Sequence, residues 1–216
     1  MTLNPILSKA GIDTHLIYSS NLDEIYKEIG KISPDIVSYS LMFGTHKQYL
    51  QLFDGVKRKF PHIKQICGGP FTTFYPEIIE TTSLDAISLG ESDTTIVTLS
   101  EALMSDTIKE CEGFWVKDVH NKIIKGNLPH LLEDLDSLPF PDREILYQKD
   151  PYLKTQEFKS FMSGRGCPYP CTYCFNHKFN EMYKGKGKII RRKSADYFVE
   201  EVLETKKKYG CQFAIF

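Results

Sequence analysis

The sequence has no apolar segment that approaches the roughly 18 residues needed to cross a bilayer. Residues 1–20 also lack the basic start and apolar block of a secretory signal peptide. Both absences predict a cytoplasmic protein without a membrane partner. Cysteine is scarce, with six residues in 216, and Cys67, Cys111 and Cys211 stand apart among apolar neighbours. This spacing excludes a disulfide framework and predicts ordinary buried thiols at these three positions.

Neither sign of charge dominates, because the formal net charge is −1. The charges are nevertheless unevenly placed. Residues 1–150 carry 14 basic and 22 acidic side chains, whereas residues 151–216 carry 13 and 6. This asymmetry indicates two compositional regions. A basic region can attract an anionic ligand or a nucleic acid, but solvated charged faces give the same pattern. The charges therefore do not favour a nucleic-acid partner.

The remaining three cysteines lie close together, at Cys167-x3-Cys171-x2-Cys174, in a segment rich in glycine and proline. Prolines between the first two cysteines remove backbone donors and exclude a regular helix. Thiolate is the ligand that iron–sulfur clusters and zinc select. Structural zinc normally takes four ligands, and His177 would complete a Cys3His zinc site. A 4Fe–4S cluster held by three cysteines would instead leave one iron open, and both alternatives stay open at this point.

This cysteine segment resembles that of the radical S-adenosylmethionine (SAM) enzymes. The resemblance includes Arg165-Gly166 before the first cysteine and the aromatic Tyr173 before the third. It implies that Cys167, Cys171 and Cys174 bind a 4Fe–4S cluster whose open iron chelates SAM. It also implies that an electron from a low-potential donor such as flavodoxin or ferredoxin cleaves SAM to a 5′-deoxyadenosyl radical. Tyr173 is then expected near the adenine.

The first 105 residues alternate between segments with strand and helix patterns. Strands are predicted at residues 15–18, 36–41, 63–67 and 85–89, with helices at 22–32, 49–60 and 96–103. This alternation predicts an α/β fold with a parallel sheet, in which ligands bind at the carboxyl ends of the strands. The candidate ligand-binding residues at those ends are Ser40, Gly68, Gly69, Gly90 and Glu91.

Together these strand ends resemble the Rossmann-like (flavodoxin-like) cobalamin-binding domain that precedes the barrel in one branch of the radical SAM enzymes. The matching features are Ser40-Leu41-Met42, the Gly68-Gly69-Pro70 turn and Gly90-Glu91, although Ser92-Asp93 replaces a Gly-Glu pair. The resemblance implies a cobalamin cofactor. Asp13-Thr14-His15 resembles the start of the Asp-x-His-x-x-Gly motif, but Tyr18 replaces the glycine, so His15 is interpreted as structural. His46 is interpreted in the same way, as a histidine at a helix start.

The remaining sequence predicts a hairpin and linker over residues 106–154 and the start of a radical SAM (β/α) barrel over 155–216. Residues 1–105 would form the cobalamin-binding domain without its first strand, so we expect a fragment in which both ends are incomplete. The expected function is methyl transfer to, or rearrangement of, an unreactive carbon. No catalytic side chain and no substrate can be named. The alternative is a non-catalytic corrinoid- or zinc-binding module with a vestigial cysteine loop.

Overall fold

The computed structural model describes residues 1–105, 107 and 110–216. The helices, in chain order, are α1 (Leu3–Lys9), α2 (Leu22–Ile32), α3 (His46–Lys59), α4 (Pro70–Phe74), α5 (Ile78–Thr81), α6 (Ile96–Met104), α7 (Glu144–Tyr147), α8 (Pro151–Thr155), α9 (Asn176–Met182) and α10 (Ala195–Tyr209). The strands are β1 (Ile36–Ser40), β2 (Lys64–Gly68), β3 (Ala86–Ser88), β4 (Phe114–Lys117), β5 (Ile123–Lys125), β6 (Phe158–Ser160), β7 (Gly164–Arg165), β8 (Arg191–Arg192) and β9 (Phe213–Ile215). None of these described helices is both long and apolar enough to span a membrane.

The described chain forms two compact units. The first, which we call the sheet unit, comprises residues 17–129. The second, the loop unit, comprises residues 1–16 and 130–216. The predicted boundaries after residues 105 and 154 follow neither unit and stay predictions about domain organisation.

A five-stranded sheet in the order β1-β2-β3-β4-β5 forms the centre of the sheet unit. The first three strands are parallel, as predicted. The predicted hairpin is also present, but it extends the sheet through antiparallel pairing of β4 with β3. All of β3 is buried, because strands inside such a sheet are covered on both faces.

Two apolar clusters fill the space between the sheet and its helices. One is built on Ile29 of α2 with Leu52 and Val56 of α3. The other joins Phe53 of the same α3 to strand residues such as Ile87. The helical spacing of these apolar side chains explains why α2 and α3 form as predicted.

The segment at residues 15–18, predicted as a strand, forms no strand. Ile17 packs against the α2–α3 cluster, so the apolar pattern of this segment reflects the burial of its side chains. Among the described residues, β1 pairs with β2 on one side and has no strand on its other side. Strand structure requires a hydrogen-bonded neighbour, and this segment has none in the described part of the chain.

In the loop unit, parallel strands β6 and β9 flank α10, as expected for a β/α crossover. The Ser194 side chain accepts a hydrogen bond from the Tyr197 N–H at 3.2 Å and caps α10. Glu201 of α10 is 2% exposed. It forms ion pairs with Lys193 and with Arg143, which lies 3.5 Å away. These pairs fix α10 to the chain before β6 and after β8.

Candidate functional site

The carboxyl ends of β1 and β2 meet at one edge of the sheet. Ser40 lies opposite Gly68 in the parallel register. The Leu41 N–H donates to the Gly68 carbonyl at 2.8 Å, and the Phe71 N–H donates to the Leu41 carbonyl at 3.1 Å. The predicted residues Ser40, Gly68 and Gly69 are therefore brought together by backbone hydrogen bonds.

At Gly69 the turn packs directly against the end of β1. Its φ of 97° and ψ of −179° lie in a region that essentially only glycine adopts. A Cβ atom there would lie 2.8 Å from the Leu41 carbonyl oxygen and 3.1 Å from the Ser40 hydroxyl oxygen. The turn therefore requires glycine on both conformational and steric grounds.

Two threonines that the sequence analysis did not single out connect this turn to β3. The Thr73 hydroxyl donates to the Gly69 carbonyl and accepts from the Gly90 N–H, both at 3.0 Å. The Thr72 hydroxyl donates to the Ser88 carbonyl at 3.0 Å. Gly90 thus joins the same edge, with the half-buried Glu91 directly after it. The position of both threonines at the start of α4, just after the Gly-Gly-Pro turn, was the available sequence signal.

An aromatic surface flanks the same edge. We call it the edge patch, and it consists of Met42, Phe43, His46, Phe71 and Tyr75. Met42, Phe43 and Tyr75 are 61%, 50% and 55% exposed. The Phe71 ring lies 5.2 Å from that of Phe43 and 5.5 Å from that of Tyr75, measured between centroids. Exposed contiguous apolar surface of this kind marks a binding site.

His46 stacks on this patch. Its ring lies 5.0 Å from that of Phe71 at an interplanar angle of 19°. Its Nδ1 atom is buried, and no hydrogen-bond partner for it is found among the described residues. His15, which the sequence analysis also interprets as structural, lies in the loop unit, with its Nε2 3.2 Å from an Asp13 carboxylate oxygen. A flat, largely apolar ligand with a polar rim fits the edge patch and its glycine turn, which is the chemistry of a corrin ring.

The cysteine segment lies in the loop unit between β7 and α9, and we call residues 167–174 the cysteine loop. Its start is held by antiparallel pairing of β7 with β8 and by the Lys193 N–H, which donates to the Ser163 carbonyl at 2.9 Å. Gly166 follows with a φ of 90°, and a Cβ there would overlap the Ile189 carbonyl oxygen. The basic segment around Arg191 therefore packs against the start of the cysteine loop.

The three thiols of the cysteine loop are all half-buried. In the described chain, no three His, Cys, Asp or Glu side chains are placed to hold one metal ion. The structure therefore does not gather the three thiols around one centre, and their convergence stays a prediction. A metal site rarely exists in the unfolded chain, so metal binding is coupled to the ordering of its ligands. The donor set itself, three thiols in one loop, fits an iron–sulfur cluster.

Tyr173 is 92% exposed, so its ring is accessible beside Cys174. His177 directs its Nδ1 to the Cys174 carbonyl oxygen at 2.5 Å. The alternative Cys3His zinc arrangement is not formed by the described residues.

Comparisons with known proteins identify a matching domain family and several relatives. Residues 2–100 match the B12 binding domain. Cytidylyl-2-hydroxyethylphosphonate methyltransferase of Streptomyces wedmorensis is 27% identical over 235 residues, covering 93% of this chain and 42% of that protein. An uncharacterised methyltransferase of Pyrococcus horikoshii is 26% identical, covering 88% of this chain and 40% of that protein. The anaerobic magnesium-protoporphyrin IX monomethyl ester cyclase of Rubrivivax gelatinosus is 27% identical, covering 82% and 34%.

Among solved structures, the chain matches the cobalamin-dependent S-adenosylmethionine radical enzyme OxsB with aqua-cobalamin bound. The TM-score is 0.70 at 21% identity, and the match covers 96% of this chain and 29% of that chain. This likeness confirms the predicted α/β fold class. Residues 2–100 belong to the B12-binding domain family.

Over most of its length the chain is similar to methyltransferases and a cyclase, and this similarity is in line with the predicted family of radical SAM enzymes that carry a cobalamin-binding domain. The chain spans about two fifths of the length of the first curated relatives that it matches.

Proposed function

We propose that the chain is part of a cobalamin-dependent radical SAM enzyme that modifies an unreactive carbon. The observation that carries the proposal is the carboxyl edge of the sheet, where Gly69 approaches Ser40 and Leu41 beside an exposed aromatic surface. Ligands of open α/β sheets bind at this edge. The family of residues 2–100 supports cobalamin as the ligand.

Each part of this edge has a role in holding the cofactor. The Gly68-Gly69 turn packs directly against the end of β1, because Gly69 has no side chain to separate it from Leu41, and this places the turn at the edge where the ligand would bind. Ser40 supplies a hydroxyl group within 3.1 Å of the position that a Gly69 side chain would occupy. The edge patch covers an apolar face of the ligand and excludes water from it. Gly90 and Glu91 supply polar groups for the rim of the ligand at the same edge.

The cysteine loop is the proposed site of the 4Fe–4S cluster. Cys167, Cys171 and Cys174 would hold it as thiolates, and the remaining iron would bind SAM. When bound, the cluster would supply one electron, passed on from a low-potential flavodoxin or ferredoxin, for the reductive cleavage of SAM to methionine and a 5′-deoxyadenosyl radical. Tyr173 is exposed and free of a helix or strand, so its ring can lie against the adenine.

The relatives support methyl transfer or cyclisation as the overall reaction, since their names specify methyltransferases and a cyclase. We assign no substrate to this chain. A cytoplasmic location is proposed with it, because low-potential electron donors and iron–sulfur assembly belong to a reducing compartment.

A corrinoid-binding module with a vestigial cysteine loop is the second candidate. The observation that favours it is that the described thiols are not gathered around one centre. Both candidates bind a corrinoid, but the enzyme alone also requires the cluster.

Anaerobic reconstitution with iron and sulfide tests the proposal. We expect the visible absorption of an iron–sulfur cluster with the wild-type chain and not with the Cys167→Ala, Cys171→Ala, Cys174→Ala variant, whereas turnover of SAM is expected only of a longer chain. Equilibrium dialysis of the same two proteins against hydroxocobalamin gives the second measurement, and equal binding is expected. Corrinoid binding without a cluster would favour the module, and absence of both would refute the proposal.

A further inference from the structure

Helix α9 reaches back to the cysteine loop with two side chains. His177 and Asn180 stand three positions apart, so they lie on the same face of the helix. The Asn180 Nδ2 donates to the Cys167 carbonyl at 2.9 Å, and the His177 Nδ1 bonds to the Cys174 carbonyl. The carbonyl of Cys171 accepts the Cys174 N–H at 3.1 Å. All three cysteine carbonyls are therefore tied by hydrogen bonds.

The donor in each of these two side-chain hydrogen bonds follows from the acceptor, which is a carbonyl oxygen in both. A carbonyl oxygen only accepts, so the His177 Nδ1 carries the hydrogen and its Nε2 points elsewhere. The Asn180 amide has its Nδ2 toward Cys167, because the opposite orientation would place two oxygens against each other. Its Oδ1 is buried, and no partner for it exists among the described residues. An acceptor left unpaired in this way is unfavourable.

The helix that carries these side chains is itself fixed. Tyr183, just after α9, is fully buried. Its ring packs 4.6 Å from that of Phe179 on the same helix, measured between centroids. The neighbouring Lys178 and Glu181 form an exposed ion pair on the helix surface. One face of α9 thus holds the cysteine loop while another faces solvent.

We propose that His177 and Asn180 are positioning residues that hold the backbone of the cysteine loop, so that its three Sγ atoms stay free for an iron–sulfur cluster. The proposal rests on the proposed function for the identity of the ligand. The described geometry contains the backbone ties without any bond from α9 to a cysteine sulfur. A loop held in this way loses less conformational entropy when the cluster binds.

Four single variants test this assignment. Asn180→Asp keeps the shape of the side chain and removes the donor to Cys167. His177→Gln places its nitrogen where Nε2 was and removes the donor to Cys174, whereas His177→Asn keeps a nitrogen near the Nδ1 position. Lys178→Ala is the matched control, because its side chain lies on the exposed face of the same helix.

Two measurements are made on each protein. The first is the rate at which an iron chelator removes iron after anaerobic reconstitution. The second is hydrogen exchange of residues 167–174 in the iron-free chain, followed by mass spectrometry. We expect Asn180→Asp and His177→Gln each to accelerate both rates at least fivefold, a factor equivalent to about 1 kcal/mol, the typical net value of one hydrogen bond. His177→Asn and Lys178→Ala should stay within twofold of wild type.

Unchanged rates in both Asn180→Asp and His177→Gln would overturn the proposal. Iron loss that is accelerated equally in His177→Asn and His177→Gln would also overturn it, because restoring a nitrogen near the Nδ1 position would then have no effect. If the wild-type chain takes up no iron, the proposed function fails. Faster hydrogen exchange in the variants would in that case show that the backbone hydrogen bonds serve the fold alone.

Discussion

Replacement of Gly69 by alanine tests whether the carboxyl edge of the sheet depends on the close approach of two backbones. The φ of 97° at this position carries a strain of about 1–3 kcal/mol for any other residue. The added Cβ would also lie 2.8 Å from the Leu41 carbonyl oxygen and 2.9 Å from the Leu41 nitrogen. Both neighbours are backbone atoms, so relief requires a shift of the chain, which typically costs about 1–3 kcal/mol more.

Gly44→Ala is the matched control. Its φ of 92° is similar, and no described atom lies within 4 Å of the position that its Cβ would take. The control therefore carries the conformational strain alone. Urea unfolding should place Gly69→Ala about 1–3 kcal/mol below Gly44→Ala, a difference of roughly 0.5–1.5 M in the midpoint at a slope of about 2 kcal/mol/M.

Hydroxocobalamin affinity should follow the same order. Gly69→Ala moves the turn at which the ligand is proposed to approach, so its binding should fall at least tenfold. The affinity control is Gly185→Ala, whose φ is 80° with no described atom within 4 Å of its Cβ position. It lies outside the edge patch and should bind within a few-fold of wild type. A Gly69→Ala variant as stable as Gly44→Ala, or one that binds as tightly as Gly185→Ala, would refute the claim that close approach at Gly69 shapes the edge.

Three further outcomes follow from the structure. Lys159 is 2% exposed and donates to the carbonyls of Leu153, Lys154 and Gln156 at 3.0, 2.9 and 2.7 Å. Lys159→Met should therefore lower the free energy of unfolding by about 2–4 kcal/mol, whereas Lys154→Met, at an exposed ion pair, should change it by less than about 1 kcal/mol. Burial raises the pKa of the Cys67 thiol to about 12, so the thiol stays protonated in mildly alkaline solution. Mass spectrometry should show that Cys67 is alkylated much more slowly than Cys211, and equal rates would contradict its burial. Hydrogen bonds from the Lys122 and His120 N–H groups lower the pKa of Asp118. Its contribution to stability is therefore present above its ordinary pKa of 3.8 and is lost as the pH falls through the lowered value. The difference in unfolding free energy between wild type and Asp118→Ala should narrow in acid, and a difference independent of pH would contradict this.

Much of the sheet unit could be predicted from the sequence because its pattern is local. Apolar residues at helical spacing predicted α2 and α3, and short apolar segments predicted β1 and β2. The glycines at the strand ends identified the edge at which the described structure places Ser40, Gly68, Gly69 and Gly90. Local patterns were sufficient there, since the end of each strand is marked by a glycine or serine next to it in the sequence.

Pairing partners were harder to predict. The segment at residues 15–18 has the composition of a strand, yet no neighbouring strand pairs with it in the described chain. The hairpin of β4 and β5 was predicted, but its place at the edge of β3 depends on contacts distant in sequence. Residue composition does not encode these partners.

The side-chain bonds of the site were also missed. Thr72 and Thr73 act through carbonyls and N–H groups that only the folded chain brings near. Helix α9 follows a proline-containing loop and is too short for a clear apolar period, and the buried Tyr183 that fixes it lies just after its last turn. The cysteine spacing was evident from the sequence, but the hydrogen bonds that hold its backbone were not.

The cluster assignment is tested most directly by iron and sulfide analysis after anaerobic reconstitution. The wild-type chain is expected to retain iron and acid-labile sulfide in equal amounts after gel filtration, with the broad visible absorption of an iron–sulfur cluster. The variant with alanine at Cys167, Cys171 and Cys174 should retain neither. Iron and sulfide that remain bound to that variant, or wild-type protein that holds zinc without sulfide, would contradict the account.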